Sequence, residues 1–404
     1  MKRWIKNSLI IGMCLIPIGL VAGFSNNWSN KIPISCVGSS GVKPFVESLS
    51  KEYMKTNKKI DITVEAGGSG FGIQQVVEGY ANIGNVSKDP YTTVQLPDAD
   101  GGFRTQWENN DIKTVTIGWE AICMVYIPPE GLGINYDGEI NLNNLLVVNE
   151  NNIINFMKIF TGISDPTTNN LSLYDFVNKS LTLSSNQITL LKDTPITPYV
   201  RAGGSLTSGT AASFVNCSDL GFDKKVDLNS EEQAAFDSGV YGRQHNLVET
   251  DEANSRAWNV FHSANNAGQI VYLSSGFVQQ NLDLIRKNGY GIMAYGSVPT
   301  EFNVEKINAG YNWFRPLNML ISVKNQETPE ISFIKSLISG KYDDELQKNG
   351  AKSLSSKEKQ FMFPNDEAYD KWISDVTLAK INPNWTWDSP YHFSPTPDSW
   401  LPAQ

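Results

Sequence analysis

Three short stretches of the chain combine residue types suited to holding a tetrahedral oxyanion. They are Gly38-Ser39-Ser40-Gly41, Gly68-Ser69-Gly70-Phe71-Gly72 and Ser208-Gly209-Thr210. In each, small residues rich in Gly and Ser or Thr follow a strand and precede a helix start. There the first N–H groups lack partners and carry roughly half a positive charge from the aligned peptide dipoles. Glycine lets backbone approach a ligand closely, and the hydroxyls add donors. Singly, each stretch is what an ordinary helix cap looks like. Three in one chain, each after a strand, point to function. Arg201 lies just ahead of the third stretch, where its guanidinium fork suits a bidentate contact to an oxyanion.

Other chemistries lack their parts. The glycines around Gly68 do not have G-x-G-x-x-G spacing, and G-x-x-x-x-G-K-[ST] does not occur. Ser69 and Ser205 lack the second glycine of G-x-S-x-G, and His245, His262 and His392 sit in no recognisable constellation with a nucleophile. No Cys/His cluster has metal spacing. An enzyme is therefore not expected, and no cofactor is implied.

The elements that must position these residues alternate. Residues 34–37 form an apolar strand. Phe45, Val46, Leu49 and Tyr53 then recur at helical spacing. Ile60, Ile62, Val64 and Ala66 alternate as a strand, 73–80 is helical, and residues 115–127 form a long apolar strand. Residues 134–196 are Asn-rich and weakly patterned, with one helix near 153–160. Further strands fall at 269–273, 290–295 and 317–323, and Ile331, Ile334, Leu337 and Ile338 mark a late amphipathic helix. Strand–loop–helix units in series predict an α/β fold, a mainly parallel sheet with helices on both faces.

With 404 residues, two domains are expected. The net charge of −9 and the lack of a Lys/Arg block beyond the N-terminus argue against nucleic acid. They do not argue against a small anion, which backbone dipoles can hold. Lys2, Arg3 and Lys6 precede an apolar run over 9–24, which reads as a secretory signal or short anchor. The expected location is therefore extracytoplasmic, secreted or anchored at the outer face of the cytoplasmic membrane. Residues 1–33 serve as signal or anchor and linker, and 381–404 form a Pro- and Trp-rich tail. Cys36, Cys123 and Cys217 imply no complete disulfide framework, and neither Cys14 nor Cys36 is well placed for lipid attachment.

At its loops the sequence resembles the phosphate-binding proteins of bacterial phosphate ABC transporters. The likeness is carried by Gly38-Ser39-Ser40-Gly41-Val42-Lys43-Pro44 and by Gly67-Gly68-Ser69-Gly70-Phe71-Gly72-Ile73. It continues through Gly79-Tyr80-Ala81-Asn82-Ile83-Gly84-Asn85-Val86-Ser87 and Arg201 with Ser208-Gly209-Thr210 and Phe214. The resemblance implies a two-lobed periplasmic-binding-protein fold with the ligand cleft between the lobes. Residues 34–118 and 320–380 would make one lobe and 119–319 the other. It implies a monomer that captures inorganic phosphate and delivers it to a membrane permease.

The resemblance also implies site residues. Ser40, the Gly41 N–H, Ser69 and Ser87 would bind from one lobe, and Arg201, Ser208, Gly209 and Thr210 from the other. Two departures stand out. The third loop has Ser87 where part of the family has an Asp that accepts the ligand's proton. The fourth either carries three extra residues or uses Ser205 and Thr207; the Gly209 and Phe214 spacing favours the former. Glu120 resembles an acidic residue that other members carry at that place, so it is a candidate acceptor. A Glu paired with a nearby Arg or Lys at the hinge is the other reading. A sulfate receptor, a phosphohydrolase and an adhesin retaining the fold are the competing functions.

Overall fold

The structure is a computed structural model that describes residues 31–87, 106, 110, 112–163, 165, 168–201, 229–238, 241–242, 247–251, 253–296, 304–307, 311, 313–322 and 328–354. The apolar run 9–24, the tail 381–404 and Ser205, Ser208, Gly209 and Thr210 lie outside the described residues.

The first third of the chain follows its hydrophobic pattern. It runs β1 (Ile32–Gly38), α1 (Lys43–Thr56), β2 (Ile60–Ala66), α2 (Ser69–Val77) and β3 (Ile83–Val86). Phe45, Val46, Leu49 and Tyr53 line the buried face of α1, and Pro44 sits in its first turn, where a missing N–H costs nothing. β2 alternates as expected, yet only Ile62 is buried, because β2 is the edge strand. α2 starts at Ser69 instead of Ile73, so the Gly/Ser stretch forms its first turn.

A long strand, β4 (Ile112–Tyr126), comes next, followed by β5 (Val147–Val148), α3 (Ile153–Ile159), α4 (Ser185–Lys192) and β6 (Thr197–Arg201). β4 and α3 are anticipated by the hydrophobic pattern. α4 is started by a capping box between Ser184 and Gln187. The asparagines that blur this region close their own turns. The Asn141 N–H donates to Asn144 Oδ1 (2.9 Å), and the Asn149 N–H to Asn152 Oδ1 (2.8 Å).

The chain continues through α5 (Ser230–Ser238), β7 (Val248–Thr250), α6 (Asn254–Ala264), β8 (Gln269–Ser274), α7 (Ser275–Gln280) and α8 (Leu282–Lys287). It ends with β9 (Gly291–Ile292), β10 (Ala294–Tyr295), β11 (Phe314–Ser322), α9 (Pro329–Ile338), α10 (Asp343–Lys348) and β12 (Ala351–Ser353). The strand expected at 290–295 is split. β9 pairs with β4 and β10 with β5, because the chain changes partner at Met293.

The large sheet runs β2-β1-β3-β11-β4-β8-β6-β7, with β12 and β9 also on β4. Parallel pairs occupy its two ends, as the strand–loop–helix order requires. At its centre β4 and β11 run antiparallel to each other and to β8 and β3. Ile112 of β4 and Leu320 of β11 join a small cluster with Ile73, Val76, Val77 and Val86, and both strands run between two larger hydrophobic cores. One core gathers Ile34, Phe45, Leu49, Ile83, Val115, Ile117, Leu317, Met319 and Ile334. The other gathers Trp119, Met124, Phe156, Tyr199, Phe261, Tyr272, Trp313 and Phe314. β4 passes from one to the other between Ile117 and Trp119, and β11 between Leu317 and Phe314. At that point the register shifts. Gly118 faces Leu317 and Thr116 faces Asn318, which leaves Ile117 as the extra residue of a bulge.

Candidate functional site

Three serines meet where β1, β3 and α2 come together. Gly38 ends β1 with φ 136°, and a Cβ there would lie 2.2 Å from the Asn85 carbonyl oxygen. Only glycine permits this approach, which lets the Ser39 N–H donate to the Asn85 carbonyl at 2.7 Å. The strand ends therefore close up, and Ser39 Oγ lies 2.8 Å from Ser87 Oγ. Ser69 Oγ accepts from the Ser87 N–H at 3.2 Å and lies 3.5 Å from Ser87 Oγ. The Gly41 N–H donates to Ser39 Oγ at 3.2 Å. Ser39, Ser69 and Ser87 are all buried, whereas Ser40 is half-buried.

Beside this cluster stands a buried ion pair. Glu120 on β4 faces Arg315 on β11, and Arg315 Nε donates to Glu120 Oε1 at 2.7 Å. Both residues are essentially inaccessible to solvent. The other carboxylate oxygen, Oε2, is buried and has no hydrogen-bond partner. A Cβ on Gly41 would lie 2.3 Å from Arg315 Nη2 and 2.8 Å from Glu120 Oε1, so the first loop rests directly on the pair. Burial pushes the Glu120 carboxyl above the usual carboxylate range, against the opposing pull of Arg315 and, more weakly, of Arg201.

Arg201, the last residue of β6, is also fully buried. Its N–H donates to the Tyr272 hydroxyl at 2.9 Å and its Nη1 to Asn254 Oδ1 at 2.8 Å. The Arg201 charge adds a weaker pull on the Glu120 carboxyl in the same sense as Arg315.

Of the residues singled out by sequence, the structure brings together Gly41, Ser69, Ser87 and Glu120, while Arg201 is buried at the end of β6 against Tyr272 and Asn254. Ser40 joins them at the edge, and the Ser208 loop lies outside the described residues. Glu120 pairs with an arginine through one oxygen, as the second reading expects, and its other oxygen has no hydrogen-bond partner. Three residues went unread. Ser39, and not Ser40, makes the hydroxyl contact to Ser87. Arg315 sits in Phe314-Arg315-Pro316-Leu317, and a lone charge in so apolar a strand is the signal that marks a buried ion. Asn254 carries no signal of its own. Among the described residues no group of His, Cys, Asp and Glu could hold a metal.

Comparisons with known proteins bear on the family and the fold. The profile of the PBP superfamily domain matches residues 26–342. An uncharacterized lipoprotein of Mycoplasma genitalium is 31% identical over 385 residues, covering 89% of this chain and 94% of that protein. The phosphate-binding protein PstS of Bacillus subtilis is 48% identical over 48 residues, which is 12% of this chain and 16% of that protein. Among solved structures, a putative phosphate ABC transporter substrate-binding protein with bound phosphate, from Clostridium perfringens, has a TM-score of 0.50 at 18% identity. It covers 80% of this chain and 100% of its own. An ancestral soluble variant of the human phosphate binding protein has a TM-score of 0.54 at 12% identity, over 86% of this chain and 99% of that one. These structural likenesses show a two-lobed α/β fold. With a profile spanning most of the sequence and a relative aligned along nearly its whole length, the chain belongs to the PBP superfamily.

Proposed function

We propose that the protein is an extracytoplasmic solute-binding protein that captures inorganic phosphate for an ABC transporter. The observation that carries this reading is the convergence of three buried hydroxyls, Ser39, Ser69 and Ser87, on a glycine-bearing loop against the Glu120–Arg315 pair. A cluster of short donors with buried arginines beside it suits a small oxyanion. The relatives named for phosphate binding, and the solved structure with phosphate bound, support the choice of ligand.

In this reading the two hydrophobic cores are the two lobes, hinged where β4 and β11 cross. Ser40, the Gly41 N–H, Ser69 and Ser87 bind from the first lobe. Arg201 with Ser208, Gly209 and Thr210 binds from the second, with Ser205 as the alternative in that loop. Glu120 is the acceptor. Phosphate at neutral pH keeps a proton and sulfate does not, and an ionised carboxylate only accepts. The unpartnered Oε2 of Glu120 meets that need. Delivery would be to a membrane permease, with the apolar run 9–24 directing the chain out of the cytoplasm.

The deciding experiment is a calorimetric titration of the purified protein with phosphate, with sulfate as competitor. Saturable phosphate binding that sulfate displaces poorly is expected. Absence of phosphate binding, or displacement by sulfate at equal concentration, would overturn the assignment.

A further inference from the structure

We propose that Asn254 is a positioning residue that aims the Arg201 guanidinium into the site. This rests on the reading that Arg201 contacts phosphate. An arginine side chain has several rotatable bonds, and holding it in one geometry costs rotamer entropy unless neighbours fix it. Asn254 opens α6, is almost wholly buried, and ties three elements together. Its Oδ1 accepts from Arg201 Nη1 on β6 at 2.8 Å and from the Ser274 N–H on β8 at 3.1 Å. Its Nδ2 donates to Ser274 Oγ at 2.9 Å. Two N–H donors converge on one atom, so the amide has one orientation and cannot flip.

The choice of an amide matters chemically. A carboxylate at 254 would hold the fork equally well but would oppose the positive charge meant for the anion. Asp251, an acid three residues before it, is engaged elsewhere. Its carboxylate accepts from the Ala253 N–H (2.9 Å) and pairs with Arg256 (2.8 Å). The network also reaches the opposite side of the site. Ser275, next to Ser274, accepts from the Ala121 N–H at 3.0 Å and donates to the Gly350 carbonyl at 2.7 Å. Ala121 adjoins Glu120. The aim of Arg201 is thus fixed relative to the strand that carries the carboxylate.

The test is phosphate titration of the full-length parent, Asn254→Ala, Asn254→Asp, Arg201→Met and the double variant Arg201→Met/Asn254→Ala. Melting curves without phosphate accompany each. Asn254→Ala should lose about tenfold or more in affinity, the size of a hydrogen bond to a charged group. In the Arg201→Met background the same change should cost nothing further, since it acts through Arg201. Asn254→Asp keeps both accepted bonds and should fold, yet it should bind phosphate more weakly than the parent. Parental affinity in Asn254→Asp, or additive losses in the double variant, overturns the inference while leaving the functional reading intact. A parent that binds no phosphate sinks both. Should Asn254→Ala fail to fold, Asn254→Asp alone decides.

Discussion

The hydroxyl side of the site and its charged side are built on different principles. Ser39 and Ser87 meet across 48 residues of chain, through loops that end neighbouring parallel strands. Glu120 and Arg315 meet across 195 residues, on two strands that run through both cores. Neutral hydroxyls satisfy one another at little cost, so backbone turns suffice to gather them. Buried charges must be paired and held rigidly, because an isolated one is costly in a low-dielectric interior. The charged side therefore rests on the middle of the sheet, and the hydroxyl side on its loops.

That contrast breaks most visibly at Arg315. Arg315→Met leaves Glu120 buried without its partner and should cost about 3–5 kcal/mol of unfolding free energy, read by urea denaturation. An unchanged midpoint would show that the pair carries no buried charge. Next in size, Arg201→Ala should remove about 2–5 kcal/mol of phosphate binding, the range for truncating one partner of a buried charged contact. Phosphate affinity equal to the parent's would refute its role.

Glu120→Gln sharpens the comparison from the other end. Losing an acceptor that cannot donate should cost about 1–3 kcal/mol of phosphate binding and narrow the preference over sulfate. Undiminished discrimination would remove Glu120 as the acceptor. The same variant has a pH signature without ligand. Burial raises the folded-state affinity of Glu120 for a proton, so its contribution to stability is complete below the ordinary carboxylate range. That contribution is lost as pH rises through the raised value. Stability curves of parent and Glu120→Gln should therefore converge at acid pH on this account and separate as pH rises through that window. Parallel curves would contradict the shift. The smallest effect belongs to the hydroxyl side. Ser87→Ala should change binding by about 1 kcal/mol, a single neutral hydrogen bond; a loss as large as that of Arg201→Ala would mean the two sides are not so different.

The same division governs what could be read from sequence. The Gly/Ser stretches, α1 and the strands at β1, β2 and β4 announce themselves because their patterns are local. Gly41 and Ser69 were legible for that reason, whereas Ser87 came only from the family resemblance. Glu120 was named through the family resemblance, and its pairing with Arg315 was not read, since nothing local links positions 120 and 315. The Ser39 contact hinges on the positive φ of Gly38, which decides which of two adjacent serines turns toward Ser87. α6 was missed although Ala257, Trp258 and Phe261 share one buried face, because polar residues dominate the segment leading into it. α4 was hidden because Leu191 is its one buried residue, so it shows no apolar stripe.

The position of β11 between β3 and β4 has a consequence for how the protein is made. A polypeptide emerges from the ribosome N-terminus first, at roughly 5–20 residues per second. β1, β2, β3 and α1 appear early, but the core they enclose is completed by Leu317, Met319, Ile321 and the α9 residues Ile331 and Ile334. The second core draws chiefly on the stretch between Trp119 and Phe314 and can assemble while the first still waits. The N-terminal strands must therefore stay open, with Cys36 and Phe45 exposed to their surroundings, until β11 arrives to fill the gap. During synthesis, a holding factor for unfolded chains would find its longest-lived target in the segment from β1 to β3, not in the strands that follow.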